Sequence, residues 1–206
     1  MPVILCHEYP PSGGGGIAEH VSRLAKSLGA TNTGISVHVI TNDPQMRGQY
    51  REGLTTVHRI SSWISGNNFL NWALVLNAEF VREVSSLNRS YRVGLLHVHD
   101  WMSIPAAITT KIAHGIPFVV TIHSTERRRC GGIHSEYSQA IESLEEQGIR
   151  ESARVITNDE ETREELIAEF GTTAVKIKTV PPEGQEWARE ISSLYYGVVG
   201  EVSRHL

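Results

Sequence analysis

The chain has only two cysteines in 206 residues, Cys6 and Cys130. One lies in an apolar run that reads as a buried strand and the other in a glycine-rich loop, which excludes a disulfide framework and fits a reducing, cytoplasmic setting. It also lacks a basic excess. Nineteen Lys and Arg against 23 Asp and Glu give a formal charge of -4 with no basic stripe, so nucleic acid is not expected as a partner. No stretch approaches the ~20 apolar residues that span a bilayer. The opening MPVILCHEYPP has an apolar run shorter than a signal-peptide core and no basic leader, so the expected location is the cytosol, without a membrane anchor. Internal repeats are lacking too, and the only biased tract is four consecutive glycines.

What the chain does have is alternation. Short β-branched runs occur at residues 2–6, 35–41, 54–60, 93–99, 117–123, 153–157 and 175–180. Helical patterns lie between most of them. Ile17, Val21, Leu24, Ala25 and Leu28 form the first apolar stripe, with Gly29 as its expected stop. Further helices are predicted from Phe69 to Leu87, from Pro105 to before Gly115, through the 140s, and from Asp159 to Phe170 before Gly171. This order predicts a Rossmann-like α/β/α three-layer fold, a single domain around a mostly parallel sheet of about seven strands.

In such sheets ligands bind beyond the carboxyl ends of the strands, where strand order reverses. That edge comprises Gly13, Gly14, Gly15 and Gly16, then Thr41-Asn42-Asp43, His99-Asp100-Trp101, His123-Ser124-Thr125-Glu126-Arg127, and Asn158-Asp159. The glycine loop opens a helix, where backbone N–H groups suit phosphate or sugar. Gly13, Gly15 and Ala18 also satisfy G-x-G-x-x-A. The only acidic residue for a dinucleotide ribose is Asp43, 30 positions after Gly13. His97 and His99 share a strand face with Asp100 at its mouth, which could begin a metal site with His123 or His134, although no H-E-x-x-H or C-x-x-C spacing accompanies them. The other reading keeps His97 hydrogen-bonded within the sheet. After His123, the hydroxyls, carboxylate and arginines suit a hydroxyl-rich or phosphorylated ligand, or form a solvated loop. No nucleophile elbow such as G-x-S-x-G is present.

The segments EYPPSGGGGIAEHVSRLAKSL, LLHVHDWMSIPAAI, GIPFVVTIHSTERRRCGGIHSEYS, SARVITNDEETREELIAEFG and KIKTVPP, in this order, resemble the N-terminal domain of retaining glycosyltransferases with the GT-B fold. The closest likeness is to glycogen and starch synthases, in the large family that includes sucrose and trehalose synthases. The resemblance implies that Gly13 to Gly16 approach the donor phosphates and the acceptor. The lysine that often precedes these glycines in the synthases is replaced here by Pro11 and Ser12. It implies that Asp100, in the HDW segment, lies close to the reacting sugars and that His123, in the T-x-H segment, touches the donor hexose; these are the expected catalytic residues. His99, Trp101, Ser124, Thr125, Glu126 and Arg127 are the further expected substrate contacts, with no metal and no cofactor. The implied partners are an α-glucan acceptor and ADP-glucose or UDP-glucose. Alternatives are a sucrose- or trehalose-synthase-like or other GT-B glycosyltransferase domain, a metal-dependent hydrolase, a non-catalytic glucan-binding domain, and a complete single-domain enzyme or regulator that reuses the fold.

The same resemblance predicts a second Rossmann-like domain after residue 182, carrying an Arg/Lys pair and an E-x7-E motif. The chain instead continues into PPEGQEWAREISSLYYGVVGEVSRHL, where Trp187, Ile191, Leu194, Tyr195, Val198 and Val202 have helical spacing. The expected organisation is therefore a GT-B N-terminal domain over residues 1–182 and, over 183–206, the returning helix packed on it. The second domain would be deleted and the join placed at about Pro182 to Gly184. Glu161 and Glu169 satisfy E-x7-E on a Glu-rich helix, read here as coincidence. A donor cleft with one wall predicts weak nucleotide-sugar binding and negligible turnover. Surfaces exposed by the deletion leave homo-oligomerisation open.

Overall fold

The computed structural model describes residues 1–30, 35–62, 68–182 and 186–204. The proposed join falls largely on 183–185, outside the described residues. Elements run β1 (Pro2–Cys6), α1 (Gly16–Ala30), β2 (Val37–Asn42), β3 (Gly48–Glu52), β4 (Thr55–Ile60), α2 (Phe69–Ser90), β5 (Leu95–His99) and α3 (Ile104–His114). They continue with β6 (Phe118–Ile122), α4 (Glu126–Cys130), α5 (Glu136–Glu151), β7 (Arg154–Thr157), α6 (Glu160–Phe170), β8 (Ile177–Thr179) and α7 (Trp187–Ser203).

The strands form one sheet in the order β3-β4-β2-β1-β5-β6-β7-β8, parallel except for the β3–β4 hairpin. Among the described residues it has eight strands, against about seven expected. The additional strand is β3, GQYRE, exposed along its whole length and so without the apolar alternation that marks the others.

Two apolar cores flank the sheet, and strand alternation decides which side chain enters which. Val3 and Leu5 of β1, with Leu96 and Val98 of β5, face α2, α3, α5 and α6. Ile4 and Cys6 of β1, with Leu95 of β5, face α1 and α7. His97 and His99 follow Leu95 at intervals of two and therefore also point toward α1 and α7. Trp187, Ile191, Tyr195 and Val198 of α7 pack into that second core.

Helix ends follow local chemistry. Gly115 and Gly171 adopt φ of 67° and 60° and close α3 and α6. Gly29 does not stop α1, which runs on to Ala30. A Cβ at Gly29 would sit 3.3 Å from Leu54 Cβ, so the glycine permits close packing against the β3–β4 turn. Both cysteines are free, Cys6 buried and Cys130 exposed. Among the described residues no helix is long and apolar enough to cross a membrane.

Candidate functional site

Strand order reverses at β1, whose neighbours β2 and β5 lead outward in opposite directions. The loops after β1, β5, β6 and β7 meet beyond the carboxyl ends at this point, the ligand crevice of open α/β sheets.

Imidazoles dominate it. His99 Nδ1 lies 3.0 Å from His123 Nε2, and His123 Nδ1 lies 2.9 Å from the Asn158 side-chain amide. His20, from α1, sets its ring edge-on to His99, His123 and Trp187, with centroids 5.5, 4.7 and 5.1 Å away. Burial disfavours charge on each ring. It lowers His20 to about 3, with His123 and Arg23 adding to the effect, lowers His123 to about 4, and holds His99 well below the usual range. These rings are neutral at physiological pH, each with one donor and one acceptor nitrogen. The Nε2 atoms of His20 and His99 are buried without a hydrogen-bond partner among the described residues.

His97 does not belong to this group functionally. Its Nδ1 lies 2.6 Å from the Tyr195 hydroxyl and its Nε2 2.7 Å from Thr121 Oγ1, so both nitrogens are occupied inside the core. It ties β5 to β6 and α7, while its ring stacks under His99 at 4.4 Å.

Asp100 has φ 51°, the one non-glycine residue in the left-handed region among those described. Such a backbone costs about 1–3 kcal/mol unless its surroundings hold it. Here its N–H donates to Thr121 O at 2.9 Å, and its Oδ1 accepts from the His123 N–H at 2.7 Å. Burial raises its carboxyl to about 6, opposed by the His123 N–H and by Arg129. The carboxylate thus fixes the turn that presents the His123 ring.

The structure distributes the other expected contacts unevenly. Gly14 and Gly16 face open space, whereas a Cβ on Gly13 or Gly15 would collide with Glu8, at 2.6 Å from its Cβ and 2.4 Å from its Oε1. Two of the four glycines therefore accommodate the chain's own Glu8. Trp101 is 6% exposed and packs in the α2-side core, edge-on to Phe69, rather than at the sheet edge. Thr125 caps α4 by accepting from Arg128 N at 3.1 Å and donates to Glu165. Glu126 accepts from Arg129 at 3.0 Å, and Ser124 Oγ turns toward the Thr125 carbonyl at 3.4 Å. Arg127 pairs with Glu142 at 2.6 Å and Glu169 at 3.4 Å. Arg128 pairs with Glu161 at 2.7 Å, so both carboxylates of the E-x7-E match dock α6 on α4. His134 lies apart, its Nε2 3.2 Å from the Gly131 carbonyl.

Residues the sequence did not single out hold these loops. Glu145, buried on α5, accepts from Glu126 N at 2.9 Å and from Arg129 at 2.8 Å, and burial pushes its carboxyl up to about 7. Arg59 of β4 donates to Asp43 at 2.7 Å and to the Pro10 carbonyl. Asp43 also accepts from Ser12 Oγ at 2.5 Å and from the N–H groups of Gln45 and Met46 at 3.1 and 3.0 Å. Asp43 is fully buried, so it has no oxygen for a ribose and the dinucleotide reading loses its acidic residue. The pair instead clamps the Pro10–Ser12 segment from which the glycine loop departs. A signal for His20 existed: it falls at i+3 from Ile17 and i+4 to Leu24, on the apolar stripe of α1.

A cavity of about 650 Å³ opens at the opposite, amino-terminal edge, lined by Pro2, His38, Tyr91 and Tyr195 among others. It lacks the convergent polar loops of the carboxyl edge, which remains the candidate site.

A glycine loop at a helix start, a ring of neutral hydrogen-bonding side chains and a sheet-edge crevice at a switch point define a ligand-binding edge on a Rossmann-like α/β domain. Residues 14–182 match the family described as Glycosyltransferase Family 4, and the chain belongs to that family. It is 33% identical over 185 residues to an uncharacterized glycosyltransferase of Methanocaldococcus jannaschii, covering 90% of this chain and 46% of that protein. It is 29% identical over 199 residues to a glycogen synthase of Mycobacterium tuberculosis, covering 88% and 47%. A solved chain of sucrose-phosphate synthase from Thermosynechococcus elongatus shares the fold at TM-score 0.71 with 16% identity, over 96% of this chain and 99% of that one. The chain spans about half the length of the curated relatives it matches.

Proposed function

We propose that this domain forms the acceptor-side wall of a retaining hexosyltransferase that moves glucose from ADP-glucose or UDP-glucose to an α-1,4-glucan, and that alone it binds glucan weakly without turnover. In such a transfer the bond from C1 to the diphosphate breaks, C1 bonds to the acceptor oxygen on the same face, and the acceptor proton passes to the departing diphosphate. The chemistry asks the protein to position two sugars and exclude water rather than to supply a strong base. What carries the reading is the group of neutral rings His20, His99 and His123 at the switch point, in which the Nε2 atoms of His20 and His99 have no partner among the described residues. Neutral imidazoles donate to and accept from sugar hydroxyls without attracting a counter-ion. Gly14 and Gly16 add open backbone at the loop that leads into α1. The lengths of the curated relatives support a further domain as the donor-side wall in the working enzyme.

The test is an NMR titration of the chain with maltooligosaccharide and, separately, with ADP-glucose and UDP-glucose. Amide shifts with glucan centred on Gly14, Asp100 and His123 are expected. Absence of glucan shifts at those loops would overturn the acceptor-side assignment, and product formation from either sugar nucleotide would overturn the claim that the domain is inactive alone.

A further inference from the structure

The histidine group has a second chemistry. One ligating nitrogen from each of His20, His99 and His123 lies within 4.8 Å of the other two. A tetrahedral zinc ion with Zn–N bonds of ~2.0–2.1 Å sets its nitrogens about 3.3 Å apart. Small side-chain rotations therefore bring the three rings onto one ion. His20 and His99 are 9% and 1% exposed, and the Nε2 atom of each is buried without a partner. Leaving a buried polar atom unpaired costs about 1–3 kcal/mol, so two in one cluster call for something that binds both.

Support around the rings is also in place. A ligating histidine commonly engages its other ring nitrogen with an orienting polar group. His123 does so through Nδ1 with the Asn158 side chain at 2.9 Å. His99 is fixed from below by the stacked ring of His97, and the 3.0 Å hydrogen bond between its Nδ1 and His123 Nε2 is given up when His123 turns that nitrogen to the ion. Trp187 closes the far side of His20 at 5.1 Å. The three rings come from α1, β5 and the end of β6, so the fold rather than local spacing assembles them. Among the described residues no carboxylate joins the set, and an all-imidazole donor group selects zinc, cobalt or nickel over magnesium or calcium.

We infer that His20, His99 and His123 form a three-imidazole site for a zinc-class divalent cation, with the fourth coordination position open to solvent or a ligand oxygen. The site shares His123 with the proposed sugar contact. Metal and sugar therefore compete, and zinc acts on this domain as an inhibitor of glucan binding. That competition rests on the proposed function; the metal site itself does not.

Isothermal titration of the metal-free chain with zinc chloride, paired with visible spectra after adding cobalt(II), tests the site. Expected are one ion per chain and the d–d bands of four-coordinate cobalt. His20→Gln and His123→Ala should each weaken binding by at least about tenfold, while His134→Ala leaves it unchanged. Circular dichroism melts establish that each variant is folded, and the two ligand variants guard against failure of either one. Absence of one-to-one binding, a six-coordinate cobalt spectrum, or zinc affinity untouched by His20→Gln in a folded variant would overturn the inference. Zinc binding without any glucan shifts would count against the sugar reading alone. Glucan shifts without zinc binding would count against the metal site alone.

Discussion

Arg59→Met is expected to destabilise the domain by about 3–5 kcal/mol, the cost of removing one partner from a buried ion pair. The magnitude follows from the burial of the pair: Arg59 and Asp43 side chains are 2% and 0% exposed and meet at 2.7 Å, so water cannot replace the lost guanidinium. Methionine keeps much of the apolar stem while removing only the charge and its donors. Ser12 Oγ and the N–H groups of Gln45 and Met46 still reach Asp43, which places the loss near the lower end of the range. For a chain of this size about 3 kcal/mol corresponds to a Tm lowered by about 6–12 °C. Thermal melts and urea titrations read both quantities. Asp43→Asn combined with Arg59→Met leaves no unpaired buried charge and should be more stable than the two single losses summed. The pH dependence has a definite sign. In the native chain burial would raise the Asp43 carboxyl, but Ser12, the Met46 and Gln45 N–H groups and Arg59 together hold it below the usual range. Its contribution is therefore complete above about pH 4 and is lost as pH falls through the lowered folded value. In Arg59→Met the unpaired carboxylate takes a proton more readily, so the gap to the native chain should narrow between pH 7 and pH 4. A loss under about 1 kcal/mol at pH 7, or simple additivity in the double variant, would refute the claim that this pair clamps the glycine loop.

Tyr195→Phe removes the hydroxyl 2.6 Å from His97 Nδ1 and leaves that buried nitrogen unpartnered; it should cost about 1–3 kcal/mol and speed hydrogen exchange in α7. Gly148→Ala would set a Cβ 2.3 Å from Cδ1 of fully buried Ile104. Overpacking of about 1–3 kcal/mol is expected, partly recovered by adding Ile104→Val, as urea titration can measure. Burial raises Glu145 to about 7 and Asp100 to about 6. The folded chain holds these two protons where the unfolded chain releases them near pH 4, so their own contribution is present at low pH and is lost as pH rises through about 6 to 7. The buried histidines oppose the two acids: His20, His38 and His123 are lowered to about 3, 4 and 4 and His97 and His99 well below the usual range, so the unfolded chain takes up protons near pH 6.5 that the folded chain refuses. The histidines outnumber the two acids, so the urea midpoint should be lower at pH 5 than at pH 8, and Glu145→Gln, which removes an opposing contribution, should enlarge the difference.

The parallel strands were legible because both faces are buried, which leaves β1 and β6 as nearly unbroken apolar runs and β5 apolar but for His97 and His99. β3 was not, because its five exposed residues are held by pairing with β4, such as Tyr50 opposite Val57, and no burial constrains their types. Gly29 misled for a different reason. A glycine read from sequence has two explanations, a left-handed turn or a close approach, and only the neighbouring Leu54 distinguishes them. The same ambiguity divides the glycine loop, where two positions yield to Glu8 and two face open space.

For the site, period-two alternation put His97 and His99 on one face, but it could not say which of them is available. That is decided by what α1 and α7 lay over the face: Tyr195, 98 residues away, occupies His97, and His20 approaches His99 and His123. The arginines after His123 posed the opposite problem. Their charge suited a ligand, yet Arg127, Arg128 and Arg129 find carboxylates on α5 and α6 at positions 142, 145, 161 and 169. A charged loop beside a strand end reads identically whether it meets a ligand or a neighbouring helix. Partner accounting separates the cases, because a docked arginine has its acceptors within the fold, whereas His20 and His99 each keep a buried nitrogen that the fold does not engage. Those two atoms offer a ligand unpaired nitrogen at the switch point, and they identify His20, which lies in the glycine-loop segment without an assigned role there, as the residue whose replacement tells most about this edge.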